Sequence, residues 1–238
     1  MGKGKLKKFK QNAKYNHVFE PEVSEFVSVD HSIKGKWNTN FFNNDRPIVI
    51  ELGCGKGEYS VGLARLFPDK NFVGVDIKGA RIWKGATESE KEQLKNVAFL
   101  RTRIELINSF FVQDEVDEIW ITFPDPQMKK RRAKKRLTSS IFLTYYQKLL
   151  KDKGIINLKT DSTFLYEYTL EVIKLNKLEI IKNTDNLYAE NWTDEILGIQ
   201  THYERLHIDD GDNINYVSFI LPKNQRLVEP SIPEDEQA

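Results

Sequence analysis

Residues 47–57, Pro47-Ile48-Val49-Ile50-Glu51-Leu52-Gly53-Cys54-Gly55-Lys56-Gly57, run from a short apolar strand into three glycines. The next stretch, Tyr59 to Phe67, carries apolar residues at helical spacing and stops at Pro68. A second strand, Asn71-Phe72-Val73-Gly74-Val75-Asp76, follows directly. Strand, glycine turn, helix and strand make a βαβ unit, and that unit decides the fold class.

Working outward, the alternation persists. The pattern predicts a helix over 81–95, a strand over 97–100, a helical piece over 105–111 and a strand over 118–123. A turn, Pro124-Asp125-Pro126, comes next. Helices are then expected over 140–150 and 163–176, with strands over 154–159, 178–182 and 214–221. This is an α/β chain with a mostly parallel sheet, helices on both faces and an antiparallel closing strand. Residues 1–45 lack such periodicity and are expected to form a basic arm and a loosely ordered extension, with short apolar pieces at 18–19 and 26–29. The body is expected to span 46–224. Residues 225–238 form an acidic tail, expected to be mobile from Glu229.

Composition narrows the function. The chain has 238 residues, 39% of them apolar and 30% charged, which suits one full-sized domain with a buried core. No apolar run is long enough to span a bilayer, and no apolar stretch follows the N-terminal lysines as a secretory signal would require. The single cysteine excludes a disulfide framework, and no His or Cys spacing suggests a metal site. A cytoplasmic protein is expected.

The net charge of +1 conceals an uneven distribution. Residues 1–19 hold six lysines and no acid, and 129–136, KKRRAKKR, hold seven bases and no acid. The remainder carries 23 bases against 35 acids. Two concentrated positive blocks on an acidic body point to an aimed contact with a polyanion. Lys134, Lys135 and Arg136 are expected to meet phosphates.

Gly53 and Gly55 let the chain turn tightly and bring bare backbone against a ligand, and Asp76 lies where an acid binds ribose hydroxyls. The glycines fall G-x-G-x-G, not G-x-G-x-x-G, and Glu51 would repel a pyrophosphate. S-adenosylmethionine has no phosphate and carries two cationic centres, so it suits the loop better than a dinucleotide. Asp125 falls just past the carboxyl end of a strand, where ligands bind in open α/β sheets, and the flanking prolines fix its direction. The basic run begins four residues later. Cys54 is expected to be a small packed residue.

These pieces, with Asn157-Leu158-Lys159-Thr160-Asp161 and Thr201-His202-Tyr203-Glu204, resemble the tRNA (guanine-N(7))-methyltransferases of the bacterial TrmB type over roughly 46–221. The resemblance implies a Rossmann-like class I methyltransferase that moves a methyl group from S-adenosylmethionine to guanine N(7) in the tRNA variable loop. By position it implies that Glu51, Gly53, Gly55, Asp76, Arg103 and Asp125 meet the cofactor, and that Asp125 is the active-site acid. Lys129, Asp161, Thr201, His202, Tyr203 and Glu204 would bind the target guanine. The family commonly has Asp where Arg103 stands, Glu where His202 stands, and Trp or His where Gln127 stands. No obligate protein partner is expected, the chain acting as a monomer or homodimer. Two other readings are a methyltransferase for an exocyclic amine of another nucleic acid and a non-catalytic RNA-binding protein. Tyr188 and Trp192 could stack on a base or simply pack.

Overall fold

The computed structural model describes residues 3–22, 24, 29–189 and 194–231. Trp192, the apolar piece 26–28 and the acids at 234–236 lie outside the described residues.

The central strands are β2 (Ile48–Leu52), β3 (Asn71–Asp76), β4 (Val97–Arg101) and β5 (Val116–Thr122). Their side chains alternate between the two faces, apart from a register irregularity in β5 between Val116 and Glu118, as a sheet covered on both faces requires. Ile48, Ile50, Leu52, Val73, Val75, Ala98, Leu100, Ile119 and Ile121 enter one core layer. Val49, Phe72, Val97, Phe99 and Trp120 enter the other. The first layer is closed by α4 (Ser140–Gln147) and α5 (Thr163–Leu175), the second by α2 (Glu58–Leu66) and α3 (Gly79–Lys91).

With β1 (Val18–Phe19), β6 (Leu150–Thr160), β7 (Ile180–Thr184) and β8 (Asn215–Leu221), the strand order is β1-β4-β3-β2-β5-β6-β8-β7. Only the β6–β8 and β8–β7 pairings are antiparallel. From β2 the chain moves outward through β3 and β4, then crosses back to β5. The switch point between β2 and β5 opens a crevice at their carboxyl ends. Gly57 ends the glycine loop as the N-cap of α2. It has φ 72°, and a Cβ there would lie 2.5 Å from the Phe99 ring and 3.2 Å from the Gly85 Cα, so a side chain is excluded twice over.

Two expectations need correction. The segment before residue 46 is not loosely ordered where it is described. Helix α1 (Lys3–Asn12) docks on α3, with Asn12 donating to the Gly79 carbonyl at 3.0 Å and Gln11 accepting from the Trp83 indole at 2.8 Å. β1 pairs in parallel with β4 at the sheet edge. A π-helical turn, Trp37–Phe42, puts Trp37 into the core with no exposure. Its indole donates to the Phe110 carbonyl at 2.9 Å and stacks on Phe111, with ring planes 13° apart. Nor does the tail come free at Glu229. Its carboxylate accepts from the Ser140 amide at 2.9 Å and from the Tyr168 hydroxyl.

Candidate active site

The strand ends meet around a cavity of about 450 Å³. Gly53 follows β2, Asp76 and Ile77 end β3, Thr102 and Arg103 follow β4, and Phe123, Pro124, Asp125 and Gln127 follow β5. Of the six expected cofactor residues, Gly53, Asp76, Arg103 and Asp125 line it. Glu51 and Gly55 do not.

The Asp76 carboxylate accepts from the Gly55 amide at 3.0 Å and from the Lys78 amide at 2.7 Å. One bond goes to each oxygen, and a carboxylate has about four lone-pair sites, so acceptor capacity remains on the cavity side. Glu51 lies beneath the loop, 3% exposed. It accepts from the Ser60 amide at 2.9 Å, the Ser60 hydroxyl and the Thr122 hydroxyl at 2.6 Å. It thereby ties the first turn of α2 to the end of β5. Burial pushes its pKa up to about 7, against the lowering effect of those hydrogen bonds. Cys54 is buried, and burial with the nearby Glu51 and Asp76 charges holds its thiol well above the ordinary range. It is packed and unreactive, as expected.

The residues present fit S-adenosylmethionine in three ways. Two buried oxygens on the cavity wall, Thr102 Oγ1 and Gln127 Oε1, have no hydrogen-bond partner. A Cβ on Gly53 would project across the opening toward Leu137, 4.0 Å away on the wall. Ile77, 54% exposed, offers an apolar surface beside Asp76. Arg103, the departure from the family pattern, pairs with Glu105 at 3.4 Å on the wall.

The Pro-Asp-Pro turn is bracketed by two left-handed residues, Phe123 (φ 48°) and Gln127 (φ 49°). Asp125 is exposed and accepts from the Gln127 amide at 3.0 Å. Lys129 is exposed at the far end of the turn. Across from it, Asp161 at the end of β6 faces His207 Nε2 at 3.3 Å, and His207 Nδ1 faces Asp212 at 2.9 Å. The His207 ring lies parallel to Phe123, with centroids 6.5 Å apart. His207 thus joins Asp161 to the turn, a role invisible in a histidine read only for metal spacing.

Thr201–Glu204 divides in two. Tyr203 is 38% exposed, with Arg81 and Lys56 within 5.8 and 6.0 Å of its ring. Arg81 also lines the cavity, so Tyr203 shares its rim. Thr201 and Glu204 are buried and form a capping box opening α6 (His202–Asp209). Glu204 also pairs with Lys159 at 2.6 Å, neither side chain having any exposure, and accepts from the Tyr188 hydroxyl at 2.7 Å. Lys159 donates further to the carbonyls of Leu197 and Ile199. Burial pulls its pKa down while Glu204 opposes that. Glu204 therefore holds α6 in place, and in this arrangement no oxygen of it faces solvent. Tyr188 belongs to that lock.

The basic run forms a 3-10 helix, Lys130–Lys135. Arg131, Arg132, Lys134 and Lys135 are exposed, whereas Arg136 is 1% exposed. The expectation that Arg136 meets phosphates is corrected: its side chain is sealed inside the protein. Among the described residues no group of His, Cys, Asp or Glu could hold a metal ion, and no helix is long and apolar enough to cross a membrane.

Residues 45–216 match the family model described as "Putative methyltransferase". The chain is 56% identical over 232 residues to the tRNA (guanine-N(7)-)-methyltransferase of Bacteroides fragilis (strain YCH46), covering 98% of this chain and 91% of the relative. It belongs to the tRNA (guanine-N(7)-)-methyltransferase family. The family's enzyme from Porphyromonas gingivalis (strain ATCC BAA-308 / W83) is 57% identical over 210 residues, covering 87% and 85%. Among solved structures, the 16S rRNA methyltransferase KamB superposes with TM-score 0.62 at 14% identity, covering 87% of this chain and 99% of that one. That likeness extends the fold, a class I methyltransferase sheet, well beyond the family.

Proposed function

We propose that this protein methylates N(7) of a guanine in the tRNA variable loop, using S-adenosylmethionine. The observation that carries the reading is the pairing of Asp76 and Asp125 on the walls of one strand-end cavity, in a chain of this family. Asp76 would take the ribose hydroxyls, Ile77 the adenine face, and Thr102 and Gln127 the remaining polar edge.

When bound, the cofactor supplies a methyl group on a cationic sulfur. The guanine N(7) lone pair would accept that methyl group, the electrons of the former carbon–sulfur bond remaining on sulfur. The positive charge passes to the purine ring. N(7) of neutral guanine carries no proton, so the site needs no strong base. It must hold the lone pair in line, which is positioning. Asp125 and Asp161 face the developing ring cation and can accept from the base's N–H edge. Lys129 would hold the target nucleotide. The exposed lysines of α1, Lys5, Lys7 and Lys10, with the exposed bases of 131–135, would meet backbone phosphates. The reading assigns the protein to the cytoplasm with its tRNA, acting without an obligate partner protein as a monomer or homodimer.

Incubating bulk unmodified tRNA with labelled S-adenosylmethionine and identifying the labelled nucleoside by mass spectrometry tests this. 7-Methylguanosine is expected. An N-methylated exocyclic amine would replace the reading with the alternative enzyme, and no transfer despite cofactor binding would leave an RNA-binding protein.

A further inference from the structure

Arg136 ends the basic run but does none of the work its neighbours are suited to. Its Nε donates to the Gln127 carbonyl and its Nη2 to the Met128 carbonyl, each at 3.3 Å. The guanidinium lies 4.6 Å from the Phe164 ring and 4.4 Å from the Tyr168 ring. Tyr168 in turn donates to Glu229, which also caps the Ser140 amide at the start of α4. Among the described residues no carboxylate pairs with Arg136. A buried charge held by carbonyls, ring faces and the Tyr168 hydroxyl, with no carboxylate partner, is a poor device for stability and a good one for geometry.

The geometry it fixes is that of the strained turn. Gln127, at φ 49°, sits in the left-handed region, which a residue with a side chain holds only where its surroundings over-determine it. Arg136 grips the carbonyls of that residue and the next, and Asp125 grips the Gln127 amide from the other side. Asp125 and Lys129 leave from the two ends of the gripped segment.

We propose that Arg136 is a positioning residue for methyl transfer, its buried guanidinium clamping the 124–129 turn so that Asp125 and Lys129 face the target guanine. This rests on the reading of the turn given above. Methyl transfer demands in-line alignment, so a turn loosened by an ångström costs turnover.

The test compares Arg136→Met, Arg136→Lys and Asp125→Asn. Arg136→Met is expected to lower kcat at least tenfold and to speed amide exchange at residues 127–129. S-adenosylmethionine affinity should fall less than kcat, because Asp76 and the glycine loop are untouched, and the salt slope of tRNA binding should match wild type. Arg136→Lys keeps the charge but not the two-carbonyl grip, and should also lose at least fivefold in kcat. It decides the matter if the Met variant does not fold. A kcat within twofold of wild type in Arg136→Lys overturns the proposal, as does a salt slope flattened as far as by Lys134→Ala. If Asp125→Asn is inactive while Arg136→Lys is fully active, the clamp fails and the turn's role stands. If Asp125→Asn is fully active, the turn has no part in the reaction and both readings fall.

Discussion

The two loops that face each other across the cavity are held by opposite means. The glycine loop is fixed to the strand beside it: the Gly53 and Cys54 amides donate to the Val75 carbonyl of β3, Asp76 at the end of that strand takes the Gly55 amide, and Gly57 donates to Cys54 within the loop. The Pro-Asp-Pro turn has one local bond, Asp125 to the Gln127 amide, and depends otherwise on a single amide at its start and one buried side chain at its end. The Phe123 amide donates to the Lys159 carbonyl, and Arg136 holds the far end. A loop whose amides bond the adjacent strand takes its shape with the sheet, before ligand arrives. A turn held from outside can be placed only by the finished fold, and it is the turn that presents the exposed acid.

The comparison predicts unequal damage. Asp125→Asn should be the most harmful change to chemistry, lowering kcat by roughly 10²–10³-fold, the usual cost of removing one group that stabilises transition-state charge. Cofactor affinity should fall far less than turnover, because Asp76 and the glycine loop are untouched. Single-turnover rates beside calorimetry show this, and equal losses in both would mean the two loops are not separable.

The glycine side has its own stress, in Glu51. Its folded pKa, about 7, lies above the ordinary 4.5, so the folded protein holds this proton more tightly than the unfolded chain. Below the unfolded value the group costs nothing. As pH rises through the folded value, stability falls, by about 3 kcal/mol in all at 1.36 kcal/mol per unit. Glu51→Gln cannot ionise. Urea unfolding of the two proteins at pH 5 and pH 8 should show wild type losing stability relative to the variant. Parallel pH profiles would mean Glu51 stays charged beneath the loop.

Asp76→Ala removes an acceptor for ribose and the anchor of the Gly55 amide together. It should weaken S-adenosylmethionine by about 1–3 kcal/mol and leave the fold intact. Calorimetry without RNA measures it. Unchanged affinity would move the cofactor out of this cavity.

The same contrast explains what could be read from sequence. The strands and the cavity were legible because periodicity and strand-end glycines are local signals, and Asp76 and Asp125 follow from their place at strand ends. Arg136 was not, because a lysine-arginine run has no internal mark showing which member turns inward; the rings that receive it, Phe164 and Tyr168, are about 30 residues away. Thr201-His202-Tyr203-Glu204 carried a readable signal, since Thr-x-x-Glu is the capping-box pattern. The family resemblance assigns all four residues to the substrate as well. The Trp37–Phe42 turn escaped because its aromatics follow neither the helical nor the strand period, and only the partners at Phe110 and Phe111 show where Trp37 belongs.

The smallest effect separates the two kinds of basic residue within 129–136. Lys134 and Lys135 are exposed, so they are free to neutralise phosphates, whereas Arg136 is not. Each phosphate contact contributes roughly 0.7–0.9 to the slope of log affinity against log salt. Replacing Lys134 and Lys135 by Ala should therefore make the slope shallower by about 1.5. All tRNAs should weaken about equally, because phosphates carry no sequence information. Ala at Lys5, Lys7 and Lys10 should act in the same direction from α1. Filter binding across a salt series checks both sets. A slope unchanged in the Lys134/Lys135 variant would remove these two lysines from the tRNA interface and divide the run between its ends: Lys129 at the target nucleotide and Arg136 inside the protein.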